Sequence, residues 1–129
     1  MAHRLIPASL ALAVAQEAAK HEDNPLREGQ VYAVLVAAGY DAHEIAALAS
    51  STWERVDWCL GLLNLADNAK NALEQGELPR SLAGRIARLS EPNQQLMLNR
   101  WVRGDFKNAR HAERYARAIL EDEQPLLSF

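Results

Sequence analysis

The sequence predicts an all-α fold, a compact domain of about eight helices, and three observations carry that reading. Of the 129 residues 49% are hydrophobic, largely alanine and leucine, while glycine and proline number only six and five. Apolar residues recur at intervals of three and four, and hardly any stretch alternates with the period of two that a half-buried strand needs. Helix start and stop signals punctuate the chain at short intervals with no low-complexity linker between them. A chain of this length can bury one core without staples.

The elements follow in order. Residues 8–20 favour helix, with Leu10, Val14 and Ala18 on one side. After the break at His21–Asp23, Asn24-Pro25 starts a helix, the asparagine as cap and the proline tolerated in the first turn. That helix presents Leu26, Val31, Val34 and Leu35 and is closed by Gly39. The stretch Asp41–Leu65 organises the rest, reading as two short helices joined by a tight turn. Asp41 and Glu44 form a capping box. Ile45, Ala46, Leu48 and Ala49 give the first helix an apolar face. Ser50 stands at the turn, where glycine would meet a left-handed backbone at lower cost. Ser51 is expected to cap the second helix, with Glu54 as reciprocal partner. Val56, Cys59, Leu60 and Leu63 are its apolar stripe. Ala46, Ser50 and Val56 hold the small, permissive and branched positions of a helix-turn-helix. Further helices run from Ala66 to Gln75, stopped by Gly76, and from Pro79 to Leu89, with Leu82, Ile86 and Leu89 inward. Ser90 caps another, with Leu96, Leu98, Trp101 and Val102, ending at Gly104. Asn108 caps the last, with Ala112, Tyr115, Ala116 and Ile119.

Composition excludes several classes. One cysteine allows no internal disulfide framework and no cysteine-based zinc site, and fits a reducing, cytoplasmic setting. No apolar run approaches the roughly 20 residues of a membrane span, and the patch Leu10–Ala15 lacks a signal-peptide cleavage pattern. Cys59 reads as core filler on its apolar stripe. His43-Glu44 begins a zinc-protease pattern that no second histidine completes, and His3, His21 and His111 show no ligand spacing, so no metal is expected. With no phosphate loop, nucleophile elbow or paired carboxylates, a non-enzyme without cofactor is expected. Trp53 and Trp58, five apart, cannot both share the face of Val56, so one is exposed, as a contact residue or a lid on the core.

The net charge of −3 conceals a basic stretch. Between Arg80 and Arg117 nine basic residues stand against three acids (Glu91, Asp105, Glu113), so this span is +6 and the remainder −9. A basic segment in an acidic chain suits a polyanion partner, though it also describes a solvated helical surface.

Three stretches in order resemble the DNA-binding region of the ParB family of partition proteins. NPLREGQVYAVLVAAGYDAHEIA is similar to the family's NPLEEAxAYxxLxxxxGLTxEEVA, SSTWERVDWCLGLLNL to GKSRSYVTNLLRLLKL without a gap, and ALEQGELPRSLAGRIARL to LLxxGxLSxGHARALL. The resemblance spans Asn24 to Leu120. It implies residues 1–23 as an N-terminal helix or linker remnant, 24–122 as a helix-turn-helix DNA-binding domain, and 123–129 as a tail. The family's upstream CTP-binding domain and its C-terminal dimerisation domain have no counterpart here, and Ala18 and His21 replace the expected asparagine and arginine. CTP binding is therefore not expected, and ParB-like self-association would belong to a longer parent protein.

The expected activity is sequence-specific binding of double-stranded DNA, for partition of a plasmid or chromosome or for related repression. Helix Thr52–Leu63 would enter the major groove, with Ser51, Thr52, Trp53 and Arg55 near its N-terminal end at bases or phosphates. By the resemblance, the segment after Gly76 would add Arg80, Arg85 and Arg88, whose planar forks suit phosphate and guanine. Arg117, far along the last helix, is expected to stand apart from them. The alternative is a protein-interaction module that has lost DNA. Glu54 and Asp57 on the reading helix favour that alternative, because carboxylates repel phosphate.

Overall fold

The computed structural model describes residues 5–124, which fold into eight α-helices and one 3₁₀ turn with no strand among them. The helices are α1 (Ala8–Ala18), α2 (Pro25–Ala37), α3 (Ala42–Ala49), α4 (Trp53–Leu62), α5 (Asp67–Glu74), α6 (Arg80–Ile86), α7 (Glu91–Val102) and α8 (Ala109–Glu123). They divide into two compact units, Met1–Leu63 and Asn64–Phe129. His3 and most of the predicted tail lie outside the described residues.

Local chemistry sets most helix ends. The Asn24 side chain accepts from the Arg27 amide, and Asn108 does the same for His111. Asp41 and Glu44 each bond the other's backbone N–H, completing the capping box. Four helices then close in the same way: a residue with positive φ, followed by an amide that reaches back five residues to a carbonyl. Gly39, Gly76 and Gly104 fill that position after α2, α5 and α7. After α3 it is Ser50, at φ 54° and ψ 43°. Ser50 is the one non-glycine residue with positive φ among the described residues.

In the first unit α2 packs on α1 and α4, and α3 on α1 and α4. Its core holds Tyr32, Leu35, Ile45, Ala46, Val56 and Cys59, with Ala11, Ala15 and Ala18 from α1. The α1 face differs from the predicted one. Leu10 is 49% exposed and Val14 only half-buried, because small alanines let α1 lie close against its neighbours. Val34 on α2 is likewise exposed, and Tyr32 takes its place inside. Gly29 marks where α2 crosses α4: a Cβ built there would stand 2.4 Å from the Cys59 carbonyl oxygen. Only a residue without a side chain allows that approach.

The second unit buries Leu73, Leu78, Leu82, Ile86, Met97, Leu98, Ala112 and Ala116. Leu96 and Val102, expected inward on α7, are exposed, with Met97 in the core instead. Gln94 is its one buried polar side chain among the described residues. It accepts from the Ala66 amide at 2.8 Å and donates to the carbonyls of Asn64 and Leu89, each at 3.1 Å. Ser90 does not cap α7 with its side chain; its amide and hydroxyl instead donate to Glu123 of α8.

Candidate nucleic-acid interface

The N-terminal end of α4 is built by the turn before it. The Ser51 amide is spent on the Ala46 carbonyl, closing α3, so α4 begins one residue later than the sequence suggests. Its cap is Thr52, whose hydroxyl accepts from the Arg55 amide at 3.2 Å, rather than Ser51 paired with Glu54.

The buried face of α4 is Val56, Cys59 and Leu62, and its outward arc carries Trp53, Glu54 and Asp57. Trp53 is 46% exposed and lies against the His43 ring, with centroids 5.3 Å apart. Trp58 is half-buried against the core, 5.6 Å from the Arg55 guanidinium. Of the two tryptophans, Trp53 is therefore the exposed one.

Arg55 is committed inward. Its guanidinium forks onto Glu28 of α2, Nη2 to Oε1 at 2.7 Å and Nε to Oε2 at 3.0 Å, and Nη2 also donates to the Glu22 carbonyl. Glu28 is only 3% exposed. The Tyr32 hydroxyl completes its shell, donating to Oε2 at 2.6 Å. Burial first, and then the Glu28 carboxylate, push the Tyr32 phenol well above its ordinary range. The bond to Glu28 likewise holds Arg55 charged. Glu28 has no local sequence signal beyond its place in NPLREG, and the reading from sequence passed over it. Of the four residues expected at this end of α4, Thr52 and Trp53 face solvent, whereas the Ser51 amide closes α3 and Arg55 ties the helix to α2.

In the second unit, Arg80 opens α6 and is exposed, as are Arg85 and Arg88. Arg85 and Arg88 line one groove between α6 and α8 that Arg80 does not line. Arg117, expected to stand apart, lines that groove too. Elsewhere in the basic stretch, Arg100 and Arg103 share Asp105, at 3.4 and 2.8 Å.

The family model for the ParB HTH domain matches residues 21–121. The chain belongs to this family. The fold agrees. With a TM-score of 0.72 it is similar to the crystal structure of the DNA binding domain of the chromosome-partitioning protein ParB complexed to the centromeric parS site. The two are 24% identical, over 87% of this chain and 91% of that one. No curated protein matches the chain. In this ParB-family frame, α3 and α4 are the helix-turn-helix, joined through the left-handed Ser50. No group of three or more potential metal ligands converges among the described residues. No helix there is long and apolar enough to cross a membrane.

Proposed function

We propose that the chain binds double-stranded DNA sequence-specifically through α4, in partition of a plasmid or chromosome or in repression from a related operator. The observation that carries this reading is the first unit's helix pair: a left-handed turn at Ser50, and a second helix whose capped N-terminal end offers Thr52 and exposed Trp53. Thr52 can meet a base edge or phosphate, and Trp53 supplies apolar contact to a thymine methyl or a sugar. Glu54 and Asp57 on the same arc suit cytosine amino groups and penalise close phosphates. In the second unit, exposed Arg80, Arg85 and Arg88 suit phosphate contact. Ser51 and Arg55 act indirectly, by fixing the reading helix. The parS complex of the structural neighbour supports a duplex partner of this kind.

Glu54 and Asp57 also favour a second reading, in which α4 docks on a basic protein surface. Selection from a pool of randomised duplexes separates the two. Enrichment of a defined motif is the expected result, and a pool that stays random after repeated rounds would leave the protein-interaction reading standing.

A further inference from the structure

Within the second unit, α6 and α8 pack side by side and leave a groove of about 300 Å³ between them. Ala116 and Leu120 line it, and Arg85 and Arg88 from one side face Arg117 from the other. Glu121 is the single carboxylate among the lining residues. The groove is fixed in place. Leu82 and Ile86 of α6 and Ala112 of α8 are buried, and the Ser81 hydroxyl donates to Glu113 across the two helices at 3.1 Å.

Three guanidiniums against one carboxylate suit an anion with several oxygens. Glu121 does little to satisfy them. It approaches Arg117 at 3.8 Å with both side chains more than 70% exposed, at 71% and 72%. A pair that long and wet contributes little, so an incoming phosphate displaces it at small cost. Arg88 also borders a second hollow that holds Asp67 and Glu91, so Arg85 and Arg117 are the stronger two.

The charge balance of the two units favours nucleic-acid phosphate as that anion. Residues 1–63 carry four basic against eight acidic side chains, whereas residues 64–129 carry ten against nine. A first unit at −4, with Glu54 and Asp57 on the outward arc of α4, is poorly suited to supply by itself the phosphate neutralisation on which duplex affinity depends. We propose that the Arg85–Arg88–Arg117 groove grips the phosphodiester backbone and holds duplex DNA irrespective of sequence. The proposal rests on the DNA-binding reading but not on recognition by α4.

The test uses the full chain and a short random-sequence duplex, with affinity followed by fluorescence anisotropy from low to physiological salt. Replacing Arg85, Arg88 and Arg117 together by alanine should lower the slope of log K against log salt by roughly two units, near 0.9 for each phosphate released. Arg117→Ala alone should lower it by about one. A control triple with the same charge loss outside the groove, Lys20→Ala, Arg27→Ala and Arg103→Ala, should change the slope by less than about half a unit. Thr52→Ala with Trp53→Ala, which removes no charge, should remove preference for a selected site while keeping the salt slope on the random duplex within about half a unit of the parent. Equal effects from the two triples, or an unchanged slope in the groove triple, would overturn the proposal. So would competition by polyglutamate with the same salt slope, because the groove would then be reading acidic protein. Preference retained by the Thr52–Trp53 double variant, with the groove triple still lowering the slope, would instead defeat only the α4 reading.

Discussion

Glu28 is a carboxylate held almost wholly out of water, and Arg55, Tyr32 and the fold around them compensate it. Removing the guanidinium would strand that charge. Breaking a fully buried pair costs about 3–5 kcal/mol. The Arg55 side chain is 31% exposed, so Arg55→Ala should cost less, about 2 kcal/mol, in urea denaturation. Stability within about 0.5 kcal/mol of the parent would show that water serves Glu28 as well as Arg55 does. Ser50 offers the opposite case. Its side chain is exposed and its backbone left-handed, a conformation that costs an L-residue about 1–2 kcal/mol. Ser50→Gly should therefore stabilise by roughly 0.5–1 kcal/mol after the extra entropy that glycine loses on folding. A less stable variant would mean that the serine hydroxyl is needed at the turn.

Two glycines divide the helical elements by what surrounds them. Gly29 faces the Cys59 carbonyl at a distance no Cβ tolerates, whereas nothing lies within 4 Å of a Cβ at Gly61 in α4. Gly29→Ala should force α2 off α4 and cost about 2 kcal/mol or more. Gly61→Ala should instead raise stability by about 0.5–1 kcal/mol through helix propensity alone. Thermal melts of both variants check this, and similar melting temperatures would contradict the proposed crossing. The elements themselves were largely legible in the sequence because their ends are local chemistry. Asn24, Asp41 with Glu44, Asn108 and the three closing glycines each act within a few residues of where they stand. What the sequence hid depends on partners far along the chain. The buried face of α1 is alanine rather than Leu10 and Val14, because closeness of packing, not side-chain size, decides it. Glu28 and Arg55 meet across 27 residues. Arg117 joins Arg85 and Arg88 only through the packing of α8 on α6. The start of α4 slipped by one residue because Ser51 is shared between the end of one helix and the start of the next.

At the scale of the whole molecule, two carboxylates contribute to the response to acid. The Glu44 amide, ahead of its other partners, holds Asp41 below the usual carboxylate range, and the Asn93 side chain followed by Ser90 does the same for Glu123. Each is lower in the folded state than in the unfolded one. The stability they give is therefore present above the unfolded carboxylate range and lost as pH falls through the folded one, near pH 4 and below. Melting temperature should drop on acidification from about pH 5 to pH 3. Asp41→Asn, which still caps but does not titrate, should make that drop shallower. Parallel profiles for parent and variant would remove Asp41 from the acid response.

Recognition of DNA by α4 is tested most directly at Trp53, which is exposed and makes no contribution to the buried core. Its substitution should leave folding unchanged and lower affinity for a selected site more than affinity for a random duplex. Fluorescence anisotropy of the parent and Trp53→Ala, each on a selected site and on a random duplex at one salt concentration, measures the preference itself. A lost contact to a base edge is worth about 1–3 kcal/mol, so the preference for the selected site should fall by about fivefold or more in the variant. An unchanged preference would contradict α4 as the reading helix.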